Sequence, residues 1–142
     1  MPESCIFCQI AAGDAPAAVV AADEHTIAFL DANPLAPGHT LVIPKTHAER
    51  LEDLDPETAR AIMDRLRTLA PAVEAAVDAD ATTVGFNNGT AAGQEVPHVH
   101  GHVIPRFDGD GGGPIHAVLP RKPDREVGDR EEIAAAIQSE LA

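Results

Sequence analysis

Gly93-Gln94-Glu95-Val96-Pro97-His98-Val99-His100-Gly101-His102-Val103-Ile104-Pro105-Arg106 is the stretch on which the reading of this chain turns. Its alternation predicts a strand over His98 to Ile104, closed by Pro105, because a two-residue period marks extended backbone and proline cannot donate to a ladder. On such a strand residues i, i+2 and i+4 share one face, so His98, His100 and His102 form a row with neighbours about 7 Å apart. An imidazole can attack phosphorus, exchange a proton near neutral pH, or bind a metal. The row alone leaves three readings open: a nucleophile with its helpers, three ligands of one ion as in H-x-H zinc sites, or histidines on a solvated face. Strict alternation disfavours the last.

Working outward, Asn87 to Gly93 is a glycine-containing loop leading into the row, and Val84-Gly85-Phe86 before it reads as a strand. Gly89 and Gly93, with Gln94 and Glu95, can bring backbone N–H groups close to an anion. Asp55-Pro56-Glu57 opens a long helix by the N-cap and first-turn proline rule. Its predicted apolar stripe is Ala59, Ile62, Met63, Leu66, Leu69, Ala70 and Val73, with Pro71 as a kink site and a stop before Asp80. Leu41-Val42-Ile43, within His39 to Pro44, has the continuous apolar character of a buried strand. Ala17 to Ala22 and Thr26 to Leu30 flank the polar turn Asp23-Glu24-His25 as a hairpin, and Asp31 to Gly38 is a loop rich in breakers. Cys5 to Ala12 predicts a short helix ended by Gly13. Downstream, Asp108 to Gly113 reads as a mobile glycine loop and Asp129 to Leu141 as a terminal helix. Hairpin strands plus one long helix give the α+β class.

The 142 residues suit a single domain, 1–142. No apolar run approaches the roughly eighteen residues of a membrane span and no signal core opens the chain, so a cytoplasmic location is expected, with no membrane partner. The two cysteines, Cys5 and Cys8, form a C-x-x-C pair that points to metal or redox chemistry more than to a staple. Asp plus Glu number 23 against 10 for Lys plus Arg, and the only lysines are Lys45 and Lys122. A net charge of -13 argues against nucleic-acid duplexes as partners. It also suggests a halophilic host, since molar salt shortens the screening length to roughly 3 Å and relieves acidic self-repulsion.

The triad stretch resembles the signature of the histidine triad (HIT) family, and further matches lie in order upstream: Cys5-Ile6-Phe7-Cys8, Phe29-Leu30-Asp31, Pro37-Gly38-His39, Leu41-Val42-Ile43-Pro44-Lys45-Thr46-His47 and Asn87-Asn88-Gly89. The resemblance covers a core of residues 5–106 and leaves 107–142 as a variable region. Gly101 departs from it, standing where the family has a bulky apolar residue.

The resemblance implies a small α+β domain: an antiparallel sheet with one long helix and short terminal helices, extended across a homodimer. Family members hydrolyse or transfer nucleoside monophosphate groups from dinucleoside polyphosphates or from P–N-linked nucleotides. Carried over, His100 is the nucleophile that forms a nucleotidyl-histidine, and His102 is placed to donate to a phosphoryl oxygen. Asp31 would hold the ribose hydroxyls, its competing role being to cap the turn before Pro34. Asn87, Gly93, Gln94 and Val96 would line the phosphate and ribose region. Glu95 stands where some members have serine or threonine, and Ile6, Phe7, Ile10 and Phe29 match base-pocket positions while also suiting a core. Zinc-containing members imply a structural Zn2+ on Cys5, Cys8, His47 and His98, with no organic cofactor. The expected partner is a nucleotide such as an AMP derivative. Two alternatives stay open: a metal-dependent hydrolase using the histidine row as ligands, and a non-catalytic nucleotide-binding regulatory module. His25 and His116 are expected at the surface and His39 beside the strand it starts; Lys45 and Arg106 carry no assigned role.

Overall fold

A computed structural model describes residues 4–120 and 125–142. Its contacts divide the chain into two units, the first ending at Gly111 and the second beginning at Gly112.

In the first unit, helix α1 (Ile6–Ala12) starts where the Cys5 thiol accepts from the Cys8 amide and stops at Gly13, whose left-handed φ of 81° suits a residue without Cβ. Strands β1 (Val19–Ala22) and β2 (Thr26–Leu30) form the expected hairpin, with a bulge between Val19 and Ala21; β1 starts at Val19 rather than at the predicted Ala17. Strand β3 (Thr40–Pro44) pairs with β2 from Thr26↔Pro44 to Leu30↔Thr40. Helix α2 (Pro56–Val77) follows, then β4 (Ala81–Phe86) and β5 (Gly101–Arg106). The sheet order is β1-β2-β3-β5-β4, antiparallel throughout. The last strand therefore inserts between β3 and β4, which brings the triad segment to the middle of the sheet.

The apolar run on β3 is explained by cover on both faces. Val42, with Ala28 of β2 and Val103 of β5, faces the core formed with α2. Leu41 and Ile43, with Ile27 and Phe29 of β2, pack with Cys5, Phe7, Cys8 and Ile10 from the α1 side. The real stripe of α2 is Thr58, Ile62, Leu66, Leu69 and Val73. Ala59 and Met63, predicted to be in it, are exposed, because the helical period carries Thr58 inward once its amide and hydroxyl are tied to Asp55. Each fully buried leucine or isoleucine of the stripe contributes about 1.5–3 kcal/mol of transfer free energy. Pro71 does not end the helix; it sits on the exposed side, where a carbonyl deprived of its N–H can turn to water. The stop comes at Asp78, before Asp80 as expected.

The triad strand is shorter at its start and longer at its end than predicted. His98 and His100 precede β5, because the His98 amide turns back to Val96 O and the Val99 amide donates to Ala48 O rather than to a strand. At the other end β5 runs through Pro105, where only β4 is paired alongside, β3 having ended its ladder at Thr40↔Val103. Strand β4 likewise begins at Ala81 rather than Val84. Asp108 and Asp110, expected in a mobile loop, are tied down: the Asp108 amide donates to Asp80, and Asp110 accepts from the Arg106 guanidinium and the Phe107 amide.

The second unit holds a 3-10 turn, Ile115–Val118, and helix α3 (Arg130–Leu141), capped by Asp129 accepting from the Glu132 amide. All of its described residues are exposed. No helix among the described residues is long and apolar enough to cross a membrane.

Candidate active site and metal centre

The segment Val96 to His102 presents its three histidines to three different environments. His98 is fully buried, and its Nε2 lies 2.9 Å from Pro44 O. A carbonyl only accepts, so Nε2 carries the proton and the Nδ1 lone pair is turned toward sulfur. Nδ1 lies 3.4 Å from both Cys5 Sγ and Cys8 Sγ, and Cys8 Sγ lies 3.3 Å from His47 Nδ1. All four ligand atoms fall within 4.8 Å of one another.

These residues fit zinc. Thiolate and imidazole ligands at ordinary zinc distances on a tetrahedron stand about 3.5 Å apart, close to the separations here. The carbonyl behind His98 is the outer partner that orients a ligating imidazole. Burial, then the neighbouring Cys5, pushes the Cys8 thiol up to about 11, so a cation is what would let its sulfur ionise. The set supplies four protein ligands and no open position, the pattern of a structural site.

His100 is buried, and its Nδ1–H donates to His98 O at 2.8 Å. That fixes the tautomer and leaves Nε2 with its lone pair. Phe7 stands edge-on against the ring with centroids 5.1 Å apart, which limits its rotation. His102 follows with its ring 5.1 Å from that of His100. Its Nδ1 is 2.9 Å from His39 Nε2, and its Nε2 is buried with no hydrogen-bond partner among the described residues. Burial first, then His100 and His39, pulls the His102 pKa down to about 4. Burial also lowers His39, with Asp31 acting in the opposite sense. The row thus does not converge on one ion: among the described residues, His98 groups with the cysteines, and His102 with His39 and Asp31.

Asp31 divides its carboxylate. Oδ1 accepts from the Asn33 amide at 2.9 Å, and Oδ2 lies 3.5 Å from His39 Nε2. Gln94 is a brace, with Oε1 accepting from the Gly89 amide and Nε2 donating to Glu49 O and Val96 O. Asn88 ties the same loop to Leu51 and Glu52. Gly93 takes a left-handed φ of 95°; it, Asn87 and Glu95 are exposed, while Val96 packs against the α1-side core. Of the four base-pocket candidates, Phe7, Ile10 and Phe29 are buried in that core and Ile6 is exposed at the surface of α1. Sequence reasoning missed the participation of His39, although Pro37-Gly38-His39 was among the matching motifs. It also missed residues 49–52, where no motif marks the contacts to the glycine loop.

The HIT domain family matches residues 12–109. The chain belongs to the histidine triad family. Cys5 and Cys8 lie outside that match, while His47 and His98 lie inside it. A HIT-family crystal structure from Bacillus subtilis is 40% identical, with 99% of both chains covered and a TM-score of 0.85, and shares the α+β architecture. A Zn-bound histidine triad family protein from Mycobacterium smegmatis is 38% identical over 98% of both chains, with a TM-score of 0.72. The adenylylsulfatase HINT3 of Arabidopsis thaliana is 36% identical over 110 residues, which are 78% of this chain and 56% of that one.

Proposed function

We propose that the chain is a nucleotidyl hydrolase or transferase acting on the alpha-phosphate of adenine nucleotide derivatives, phosphoramidates or dinucleoside polyphosphates, through a nucleotidyl-histidine intermediate. One observation carries this reading: the His100 Nδ1–H is spent on His98 O, so in the neutral ring the lone pair falls on Nε2. Nε2 bonds to phosphorus, and the bond to the leaving group breaks with its electron pair departing on that group, which takes a proton from water. A second water then attacks phosphorus, the Nε2–P bond returns its pair to His100, and the proton this water sheds neutralises the hydroxide left by the first. His102, whose ring stands 5.1 Å from that of His100, stabilises charge on the phosphoryl oxygens.

Asp31 is the ribose ligand in this reading, and Asn87, Gly93, Gln94, Glu95 and Val96 form the phosphate-side rim. Ile6, Phe7, Ile10 and Phe29 supply the base side. Zinc on Cys5, Cys8, His47 and His98 is structural: it holds α1 to the segment that carries His100. Strands β1 and β4 are the edges of the sheet among the described residues, and a homodimer would extend it at one of them.

The test is turnover of a P–N-linked adenosine phosphoramidate, diadenosine tetraphosphate and a sulfate-linked adenylate by wild type and His100→Ala, in concentrated KCl, with and without a chelator. Chelator-resistant turnover and a quenched nucleotidyl-histidine, both absent in His100→Ala, are expected. Turnover that follows bound metal and survives in His100→Ala would sink the reading. The same preparations report on the halophilic proposal: an unchanged melting temperature between dilute and molar KCl counts against it.

A further inference from the structure

The hydrogen bonds around His39 and His102 form a chain whose direction is set by the backbone. The Leu35 amide lies 3.1 Å from His39 Nδ1. An amide can only donate, so Nδ1 accepts and the neutral His39 ring carries its proton on Nε2. That Nε2–H meets His102 Nδ1 at 2.9 Å. His102 Nδ1 is therefore the acceptor, and its proton is left on Nε2, the buried nitrogen with no hydrogen-bond partner among the described residues. A buried donor without an acceptor is rare in a folded chain and calls for one from outside it.

A second arrangement has to be weighed, because Asp31, His39 and His102 also place three ligand-type atoms within 4.8 Å. The Leu35 amide decides against a metal there. A ligating imidazole keeps its proton on the far nitrogen and donates it to an oxygen, as His98 does to Pro44 O. In His39 the far nitrogen faces a donor, so the near one holds the proton and has no lone pair for an ion.

We propose that His39 is a positioning residue: by holding the His102 proton on Nε2, it makes His102 a fixed, neutral hydrogen-bond donor to the anion that gathers charge beside His100. The proposal rests on the nucleotidyl-transfer reading of His100 and adds what orients its partner. No proton leaves His102, so its ring never has to become an imidazolate. Burial keeps the ring neutral through the physiological range. The groups facing it are His39, His100 and, behind His39, Asp31.

The experiment compares wild type, His39→Gln, His39→Met and His39→Glu, reading the ring nitrogens of His102 by 15N NMR and steady-state turnover of the adenosine phosphoramidate. Wild type is expected to show the His102 proton on Nε2. His39→Met, with no donor, should lower kcat by about 10²–10³-fold with little change in KM, the effect of losing one preorganised donor. His39→Glu, an acceptor, should lower kcat as far and move the His102 proton to Nδ1. His39→Gln, whose carboxamide N–H can replace the imidazole donor, should restore the tautomer and keep kcat within about tenfold of wild type. Adding His39→Met to His102→Ala should cost nothing more than His102→Ala alone.

A wild-type His102 protonated on Nδ1, a His39→Met enzyme with wild-type kcat, or a His39→Gln enzyme as slow as His39→Met would each overturn the proposal. If His39→Met does not fold, the wild-type ring spectrum and His39→Gln still decide. Should wild type turn over no donor, the nucleotidyl-transfer reading fails by itself, and the NMR result still answers for His39 separately.

Discussion

Two histidine clusters lie within a few residues of each other, and the backbone atom behind each gives it a different chemistry. Behind His98 stands a carbonyl, Pro44 O, which pulls the proton to Nε2 and frees Nδ1 for sulfur and metal. Behind His39 stands an amide, Leu35 N–H, which pushes the proton onto Nε2 and closes the ring to metal. Both clusters hold buried imidazoles and an acidic or ionisable neighbour, so side-chain content alone does not separate them. The direction of one main-chain dipole does.

The largest expected effect tests the metal side. Cys8→Ala, or wild type stripped by a chelator, should lose a stoichiometric zinc and with it the tie between α1 and His98. For zinc at about a thousand times its Kd the stabilisation is about 4 kcal/mol, which for a unit of this size shifts the melting temperature by about 15 °C or more. Calorimetry with metal analysis checks it. A drop of equal size in His39→Met, or zinc retained by Cys8→Ala, would erase the distinction between the clusters.

How far the sequence carried this comparison depends on where the deciding atoms lie. Helix α1, the β1–β2 hairpin, β3 and the ends of α2 were legible because caps, turns and apolar runs are local signals: Gly13, Asp23-Glu24-His25, Leu41-Val42-Ile43, Asp55-Pro56. The gathering of Cys5, Cys8, His47 and His98 was reachable because cysteine and histidine are chemically specific at C-x-x-C spacing and because the family resemblance supplied His47 and His98. That His98 to His100 lie outside the strand was hidden, since it depends on the His98 amide turning back to Val96 O and on Ala48 O taking the Val99 amide in place of a ladder partner. The part played by His39 was hidden for the same reason: it needs an amide four residues back and a ring 63 residues on, neither implied by any period. Met63 failed for a simpler reason, being apolar at a position one helical step outside the stripe.

A smaller effect bears on the His39–His102 side. The folded pKa of His102, about 4, lies below its unfolded value of 6.5. Between those values the unfolded chain binds a proton that the folded chain refuses. Stability is therefore full above pH 6.5 and declines as the pH falls toward 4, by about 3 kcal/mol for this group. His39, lowered in the same direction, adds to the slope. His102→Phe, which keeps a ring but cannot titrate, should show a shallower decline in denaturant melts between pH 7 and 4. Parallel wild-type and mutant curves would mean that His102 titrates normally in the fold.

The smallest effect concerns the residue that links the clusters along the chain. Gly101 stands where the family pattern has a bulky side chain, and a Cβ there would meet the Phe86 ring at 2.9 Å and Leu66 Cδ2 at 3.4 Å. Phe86, opposite Gly101 on β4, thus occupies the space that the missing side chain would otherwise fill. Gly101→Val should destabilise by about 1–3 kcal/mol through overpacking, and Phe86→Ala by opening a cavity. Together they should recover part of both losses, because the valine then fills the cavity left by the ring. Denaturant melts of the four-member cycle give the coupling, and simple additivity would show that Phe86 does not stand in for the side chain at 101. The cycle also separates the histidines from their spacer. With the Leu35 and Pro44 backbone atoms untouched, the tautomers of His98 and His102 should be the same in all four proteins, and a shift in either ring would mean that strand packing, rather than the group behind each imidazole, sets its proton.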